Sequence, residues 1–379
     1  MTTTARPKLS WRRAFALLAK ETIQMRRDPA TLAMAVAMPL IQIFLFGSAI
    51  NTNPRHLPTA LLIADQGRET RDITTALTNT GYFDLTRYST EAAANAALAR
   101  GDVLFVLNIP ADFSRKLVRG EHPDLLMDTD ATDQVAIAAA SAVLPTIAAR
   151  AVTRDLPVPL QPQGSPAYSF VVHARYNPEQ ITAYSIVPGL IGVVLSFSTL
   201  LLTTLAITRE RETGTMETLL ALPLLPLEVM FGKIVPYIGL GYVQLLLILA
   251  VARFGFGVPV QGSLPLLLAA IGLFIACNLS LGFTFSTMAR TQMQAQQLAM
   301  FILLPSMLLS GFAFPFAGMP AWAQYIGEAL PMTHITRICR GILLKGLGPA
   351  DILPELWPLA LFAVISGVVA LRFYRTTLD

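Results

Sequence analysis

The stretch ITAYSIVPGLIGVVLSFSTLLLTTLAIT, residues 181–208, carries no charge and runs directly into RERETGTMETLLALP, residues 209–223. A bilayer core of about 30 Å takes about 20 apolar residues in a helix, so 181–208 is long enough to cross it. Similar runs lie on either side: Ala30 to Ile50, Ile234 to Ala252 with Lys233 at its mouth, Gly262 to Ala289, and Leu356 to Leu371. Thr291 to Gly327 is also uncharged but too long for one span. Pro305, Gly311, Pro315, Gly318 and Pro320 interrupt its second half. It reads as a span over about 295–314, followed by a broken re-entrant segment. Such backbone is tolerated at membrane depth only where protein or a water-filled cavity surrounds it.

The whole composition agrees. Of 379 residues, 54% are hydrophobic and 14% charged, against about 25% charged in a typical soluble domain. A fully soluble protein and a disordered chain are both excluded. Two cysteines, Cys277 and Cys339, exclude a disulfide scaffold, and four scattered histidines offer no metal-ligand pair. The expected fold is an α-helical membrane protein with six transmembrane helices and an inserted α/β extracytoplasmic domain.

Lys and Arg set the orientation. Arg6, Lys8, Arg12, Arg13, Lys20, Arg26 and Arg27 precede the first run, which makes that end cytoplasmic. Arg209, Arg211, Lys233, Arg290, Arg372 and Arg375 then also fall inside, and both termini are cytoplasmic, with 372–379 as a tail. Arg337, Arg340 and Lys345 fall outside, against the rule. The net charge of +4 is an orientation signal rather than a nucleic-acid footprint. Residues 1–29 read as an interfacial helix, with Trp11, Phe15, Leu18, Thr22 and Met25 on one stripe facing membrane lipids. No cleavable signal peptide is evident, so 30–50 reads as a retained span.

Residues 51–180 change character. They hold 11 Lys/Arg and 14 Asp/Glu, with short apolar runs at Thr59–Ala64, Val103–Ile109, Asp124–Met127 and Tyr168–His173. Helical patterns lie near Arg68–Thr78, Glu91–Ala99, Ala111–Val118 and Gln134–Arg154. Alternation of this kind predicts a compact α/β domain, closed by a stiff linker bearing Pro157, Pro159, Pro162 and Pro166. Asp128, Asp130 and Asp133 form D-x-D-x-x-D. A calcium loop of the EF-hand type needs a central Gly and a twelfth-position Glu, so N-capping and first-turn charge for the following helix is the preferred reading.

In 209–223, Gly214 can end the long helix in a left-handed conformation and Thr215 can cap a new short one. Glu217 then sits in its first turn, where the dipole favours an anion. Leu219, Leu220 and Leu222 give it an apolar face and Pro223 stops it. Glu210-Arg211-Glu212-Thr213-Gly214-Thr215-Met216-Glu217-Thr218-Leu219-Leu220-Ala221-Leu222-Pro223 resembles the E-x-E-x-G-T-x-E-x-L-L-x-x-P pattern of type-2 ABC exporter permeases. So does the tail: Ser310-Gly311-Phe312, Pro315, Met319-Pro320, Pro331, Thr333, then Arg340-Gly341 and Lys345-Gly346. The resemblance covers almost the whole chain. Thr213 departs from it, where many relatives carry Arg or His.

The resemblance implies a permease of the multidrug type that pairs with a second permease, identical or homologous, above separate ABC ATPase subunits. The segment at about 209–223 would be the coupling helix in a groove of the ATPase. Glu210, Glu212, Gly214, Thr215, Glu217, Leu219, Leu220 and Pro223 are the coupling candidates. ATP and Mg would bind the ATPase, and this chain would bind no cofactor or metal. The cargo would be lipophilic or amphipathic, such as a drug or lipid, exported across a bacterial inner membrane. The large external domain could gate release or dock a periplasmic adaptor.

The residues themselves are consistent with this. No G-x-x-x-x-G-K-[ST] occurs, so the chain has no standard phosphate-cradling loop. No Ser/His/Asp or Cys/His cluster is apparent for covalent catalysis. The spans are nearly free of charge, which weighs against an ion-driven carrier. Asn278 and Gln42 read as interhelical hydrogen-bonding groups, and Cys277 as a small packed residue. The alternatives are an ATP-independent carrier and a sensor with an extracytoplasmic ligand domain. The cytoplasmic segments are too short to hold the output domain a sensor needs.

Overall fold

The computed structural model describes residues 55–151, 166–212, 226–289 and 291–373. The expected first span and interfacial helix lie outside these residues, as do the proline linker and positions 213–225.

Residues 57–175 build a five-stranded sheet. Its strands are β1 (Leu57–Ile63), β2 (Phe83–Arg87), β3 (Phe105–Ile109), β4 (Asp124–Asp130) and β5 (Ser169–Arg175), in the order β2-β1-β3-β4-β5. β1 is parallel to β2 and β3, β3 is antiparallel to β4, and β4 is parallel to β5. Strand side chains alternate between faces, and the sequence uses both. Leu57, Leu61, Phe105, Leu107 and Ile109 point to one buried cluster, while Ala60 and Val106 point to another.

Helices α1 (Arg68–Asn79), α3 (Phe113–Val118) and α4 (Gln134–Arg150) cover the first face with Ile73, Leu77, Phe113, Leu117, Ile137 and Leu144. Helix α2 (Glu91–Arg100) covers the second with Ala94, Ala97 and Leu98. Thr90 caps α2 by accepting the Ala93 N–H at 3.2 Å, and Gly101 ends it at φ 87°. Phe83 and Phe105 meet edge to face, with centroids 5.7 Å apart.

Two differences from expectation stand out. β2 alternates only over Phe83 and Leu85, of which Phe83 alone is fully buried, so five residues of FDLTR give too short a signal to predict an edge strand. β4 continues past Met127 through Asp128 and Asp130, which are buried in ionic contacts rather than exposed.

The rest is helical: α5 (Thr182–Glu212), α6 (Pro226–Ala250), α7 (Leu264–Met288), α8 (Gln292–Leu309), α9 (Ala321–Glu328), α10 (Pro331–Lys345) and α11 (Pro349–Phe373). Four of the described helices are long and apolar enough to cross a membrane, over Thr182–Leu205, Pro236–Gly255, Leu264–Met288 and Pro349–Arg372. α8, where a fifth span is expected, is not among them. Its start holds Gln292, Gln294, Gln296 and Gln297, although its 18 residues extend about 27 Å. α11 begins earlier than the uncharged run predicts, because Asp351 and Glu355 lie inside the helix.

α5 and α7 form the centre. A Cβ on Gly282 would meet the Leu200 carbonyl oxygen at 2.8 Å and the Thr203 Cβ at 2.9 Å, so the two helices touch there backbone to backbone. α6 and α11 lie outside, with Val243, Leu247, Val364 and Ile365 exposed. Asn278 donates to the Phe274 carbonyl of its own helix, so it does not tie helices together as expected. A carbonyl four residues back is always within reach on a helix. Bonds that do tie helices together here include Ser198 to Gln244 (2.6 Å), the Tyr242 hydroxyl to the Leu268 carbonyl (3.1 Å) and the Cys277 thiol to the Leu359 carbonyl (3.2 Å).

Candidate functional site

Two clusters of polar contacts lie at opposite ends of the helices. The first joins the sheet to α10. Asp130 ends β4, and Lys345 lies in the last turn of α10, which closes on Gly346 at φ 68°. Lys345 Nζ reaches Asp130 Oδ2 at 2.6 Å and the Leu98 carbonyl at 3.3 Å, and lies 5.4 Å from the centre of the Tyr176 ring. Both partners are buried, at 6% and 4% side-chain exposure. Asp130 Oδ1 accepts from the Thr132 N–H and hydroxyl at 3.1 and 2.8 Å. The pair's remaining polar atoms are thus largely satisfied, which a buried ion pair requires.

The D-x-D-x-x-D motif therefore divides its work. Asp128 pairs with Arg175 at 3.0 Å and His173 at 2.7 Å, across β4 and β5. Asp130 holds α10. Only Asp133 is a helix cap, accepting the Ala136 N–H at 3.2 Å. Burial pushes the Asp133 carboxyl up, and the charge of Arg340 opposes that shift. The capping reading is correct for Asp133 and incorrect for Asp128 and Asp130, whose charges are used across strands and between units. No group of acidic, His or Cys residues among those described could hold a metal ion.

α10 brings further pairs to the same place. Arg337 binds Glu328 of α9 at 2.5 Å and Glu355 of α11 at 3.2 Å, and its guanidinium lies 4.5 Å from the centre of the Phe316 ring. His334 is buried between Glu355, at 2.5 Å from Nδ1, and the Glu328 carbonyl, at 2.9 Å from Nε2. These contacts pair Arg337 and Lys345, two of the three positive charges that break the orientation rule, and put the third, Arg340, opposite Asp133. A crevice of about 290 Å³ lies between sheet and helices, lined by Asp130, Asp133, Gly311, Phe316, Arg337 and Arg340 among others. His334, Glu328 and Glu355 are not legible as a cluster in the sequence, since they come from three helices.

The second cluster lies at the far end of α5. Glu212, its last residue, accepts from the Gln292 backbone N–H at 2.8 Å and from the Gln292 side-chain amide at 2.5 Å. These bonds hold the Glu212 carboxyl below the usual carboxylate range. The first N–H groups of a helix have no partner within it; here Glu212 takes one, and Thr291 takes another by accepting from Gln294. Glu210 falls in the last turn of α5. Gly214, Thr215, Glu217, Leu219, Leu220 and Pro223 lie outside the described residues, as do Trp11, Phe15, Leu18 and Met25.

A sheet unit fastened to a bundle of apolar helices, with the E-x-E-x-G-T motif starting at the bundle's opposite end, narrows the choice of family. The family model described as "ABC-2 family transporter protein" matches residues 29–372. The chain belongs to the ABC-2 transporter family. It is 30% identical over 373 residues to a protein of Escherichia coli (strain K12) named "Probable multidrug ABC transporter permease YbhS", covering 96% of each chain. The "Probable multidrug ABC transporter permease YbhR" of the same organism is 27% identical, over 96% of this chain and 98% of that one. "Inner membrane transport permease YhhJ", also from that strain, is 27% identical with the same coverage. No solved structure matches the chain. The chain is thus a permease, a membrane transport subunit, and α5, α6, α7 and α11 are its described helices long and apolar enough to cross the bilayer.

Proposed function

We propose that the chain is the permease subunit of an ATP-driven exporter that moves a lipophilic or amphipathic molecule outward across a bacterial inner membrane. The observation that carries this is the nearly full-length match to permeases, two of them named as multidrug, in a sequence with no phosphate-cradling loop of its own. ATP and Mg would belong to a separate ATPase subunit. Six spans are proposed: 30–50, the four apolar helices described above, and α8. Both termini are then cytoplasmic, and the sheet unit lies on the external face. The ion pairs at the junction support this orientation. Arg337 and Lys345 serve there as ion-pair partners, Lys345 to Asp130 of the sheet unit, a structural use for positive charge on that side.

In this reading two permeases pair, and closure of the ATPase pair on ATP pushes the segment following α5. That segment includes Gly214, Thr215 and Glu217, with Leu219, Leu220 and Pro223 completing it. The push reopens the permease interface outward. The interfacial helix with Trp11, Phe15, Leu18 and Met25 lies on the lipid surface beside this contact. The sheet unit is the candidate dock for a periplasmic adaptor.

The experiment is a mild-detergent pull-down of the tagged chain from its native membrane, with mass spectrometry of the eluate. An ATPase with a phosphate-binding loop is expected, together with a second permease if the pair is unlike. Glu217→Lys should reduce that capture while leaving membrane insertion intact. Full transport by a well-inserted Glu217→Lys protein, or absence of any ATPase under several mild conditions, would sink the reading.

A further inference from the structure

Three contacts join α5 to α8 along its length. At one end, Glu212 receives both the first N–H of α8 and the Gln292 amide. In the middle, Leu200 of α5 packs with Ala299 and Leu303 of α8 in a single buried cluster, flanked by Phe197 and Met300. At the other end, just past Gly311 (φ 77°), the Phe312 ring lies directly on the backbone of Gly189. A Cβ there would meet Phe312 Cδ2 at 2.4 Å. The apolar contacts are generic packing that can slide or part. The Glu212 contact differs in being two directed hydrogen bonds to a charged acceptor, which are shorter and stronger than neutral ones. It also lies within the stretch 209–223 read as the coupling segment, just before Gly214 and Thr215.

α8 ends at the crevice. Ser310, Gly311 and Phe316, just beyond it, line the same cavity as Asp130, Asp133 and Arg340. A displacement carried by α8 therefore arrives beneath the sheet unit.

We propose that Glu212 is a positioning residue that fastens α8 to α5 at the cytoplasmic end, so that both helices move as one lever from the coupling segment to the crevice under the sheet. This assigns Glu212 to a contact within the chain, rather than to the ATPase groove. The proposal rests on reading 209–223 as the coupling segment.

The test uses the full chain co-expressed with its ATPase, in native membrane vesicles. Cys277 and Cys339 are buried, so an introduced cysteine pair can be oxidised selectively. In Glu212→Cys with Gln292→Cys, the reduced protein should keep its ATPase and hydrolyse ATP, while transport per ATP falls about tenfold. Oxidation should then form the crosslink and restore transport to within about twofold of the parent, because a covalent bond replaces the lost hydrogen bonds. Loss of the remaining transport on oxidation would mean that the two helices must separate, and would overturn the lever. Unimpaired transport in the reduced protein, or failure of the crosslink to form, would overturn it as well. If Glu212→Ala releases the ATPase, Glu212 belongs to the ATPase contact and the lever is wrong. If the parent protein holds no ATPase, the coupling reading itself has failed.

Discussion

The sheet unit and the helical bundle both bury apolar side chains, but the bundle adds rows of hydroxyls inside and turns apolar residues outward. Inside the sheet unit lie Phe83, Phe105, Phe113 and Leu107, with charged residues mostly outward. Inside the bundle, α5 buries Thr199, Thr203, Thr204 and Thr208, and α7 buries Ser280, Thr284, Ser286 and Thr287. Outward it presents Leu247, Val364 and, at 88% exposure, Phe254. Water rewards an apolar interior. Lipid tails are as apolar as leucine, so burying apolar groups gains little there, and close packing and polar contacts hold helices together instead. Thr199, Thr203 and Thr204 donate to carbonyls four residues back, at 2.6–2.7 Å. One chain thus follows two packing rules, each set by its solvent.

The strongest test of this contrast removes an aromatic from each kind of position. Phe105→Ala should cost about 3–5 kcal/mol, whereas Phe254→Ala on the bundle's exterior should stay within about 0.5 kcal/mol. Thermal unfolding of the purified chain in detergent, with proteolysis reporting on the sheet unit, reads both. Equal losses would break the comparison. A comparable effect is expected where the two units meet. Lys345→Ala leaves Asp130 buried without its counter-charge and should cost about 3–5 kcal/mol, and Lys345→Met with Asp130→Leu should recover most of it.

Gly282→Leu comes next. It should cost about 1–3 kcal/mol by forcing α5 and α7 apart, read as a lower melting temperature with the sheet unit's protease resistance unchanged. Acid should weaken the sheet unit. Desolvation raises the Asp65 carboxyl, but hydrogen bonds from Ser114, Thr70 and the Gly67 N–H outweigh this and leave it below 3.8. A carboxyl lowered on folding contributes stability that is complete above its unfolded value, near 3.9. That contribution fades as pH falls through the folded value. Proteolysis of residues 57–175 should therefore quicken below about pH 4, and Asp65→Asn should lose that acid dependence. The smallest effect is expected from Thr203→Val, about 0.6 kcal/mol or less, since its hydroxyl is satisfied within its own helix.

The same contrast explains what the sequence revealed. Spans are legible because lipid forbids charge over about 20 residues, and β1 and β3 are legible because their apolar residues are dense. The signal fails where a charge is cancelled by a distant partner. Glu355 hides the start of α11 because it is neutralised by Arg337 and His334. Asp128 and Asp130 hide the end of β4 because Arg175 and Lys345 lie far away in sequence. Among these contacts, the tail motif names Arg340 and Lys345 but not Asp133 or Asp130, and the E-x-E-x-G-T motif names Glu212 but not Gln292. Each motif records one half of a contact whose other half lies in a different segment.

The single antiparallel pairing in the sheet has a consequence for how such a protein can change over generations. Because β3 and β4 run in opposite senses, β5 runs opposite to β1. The register then puts Leu57, where the chain enters, and Arg175, where it leaves, at the same end of the sheet. Insertions whose ends lie together disturb their host least. The sheet unit is thus built as a cassette, and the bundle could acquire, lose or exchange it by recombination at one site. Its principal fastening beyond the chain itself would be the grip of Lys345 on Asp130.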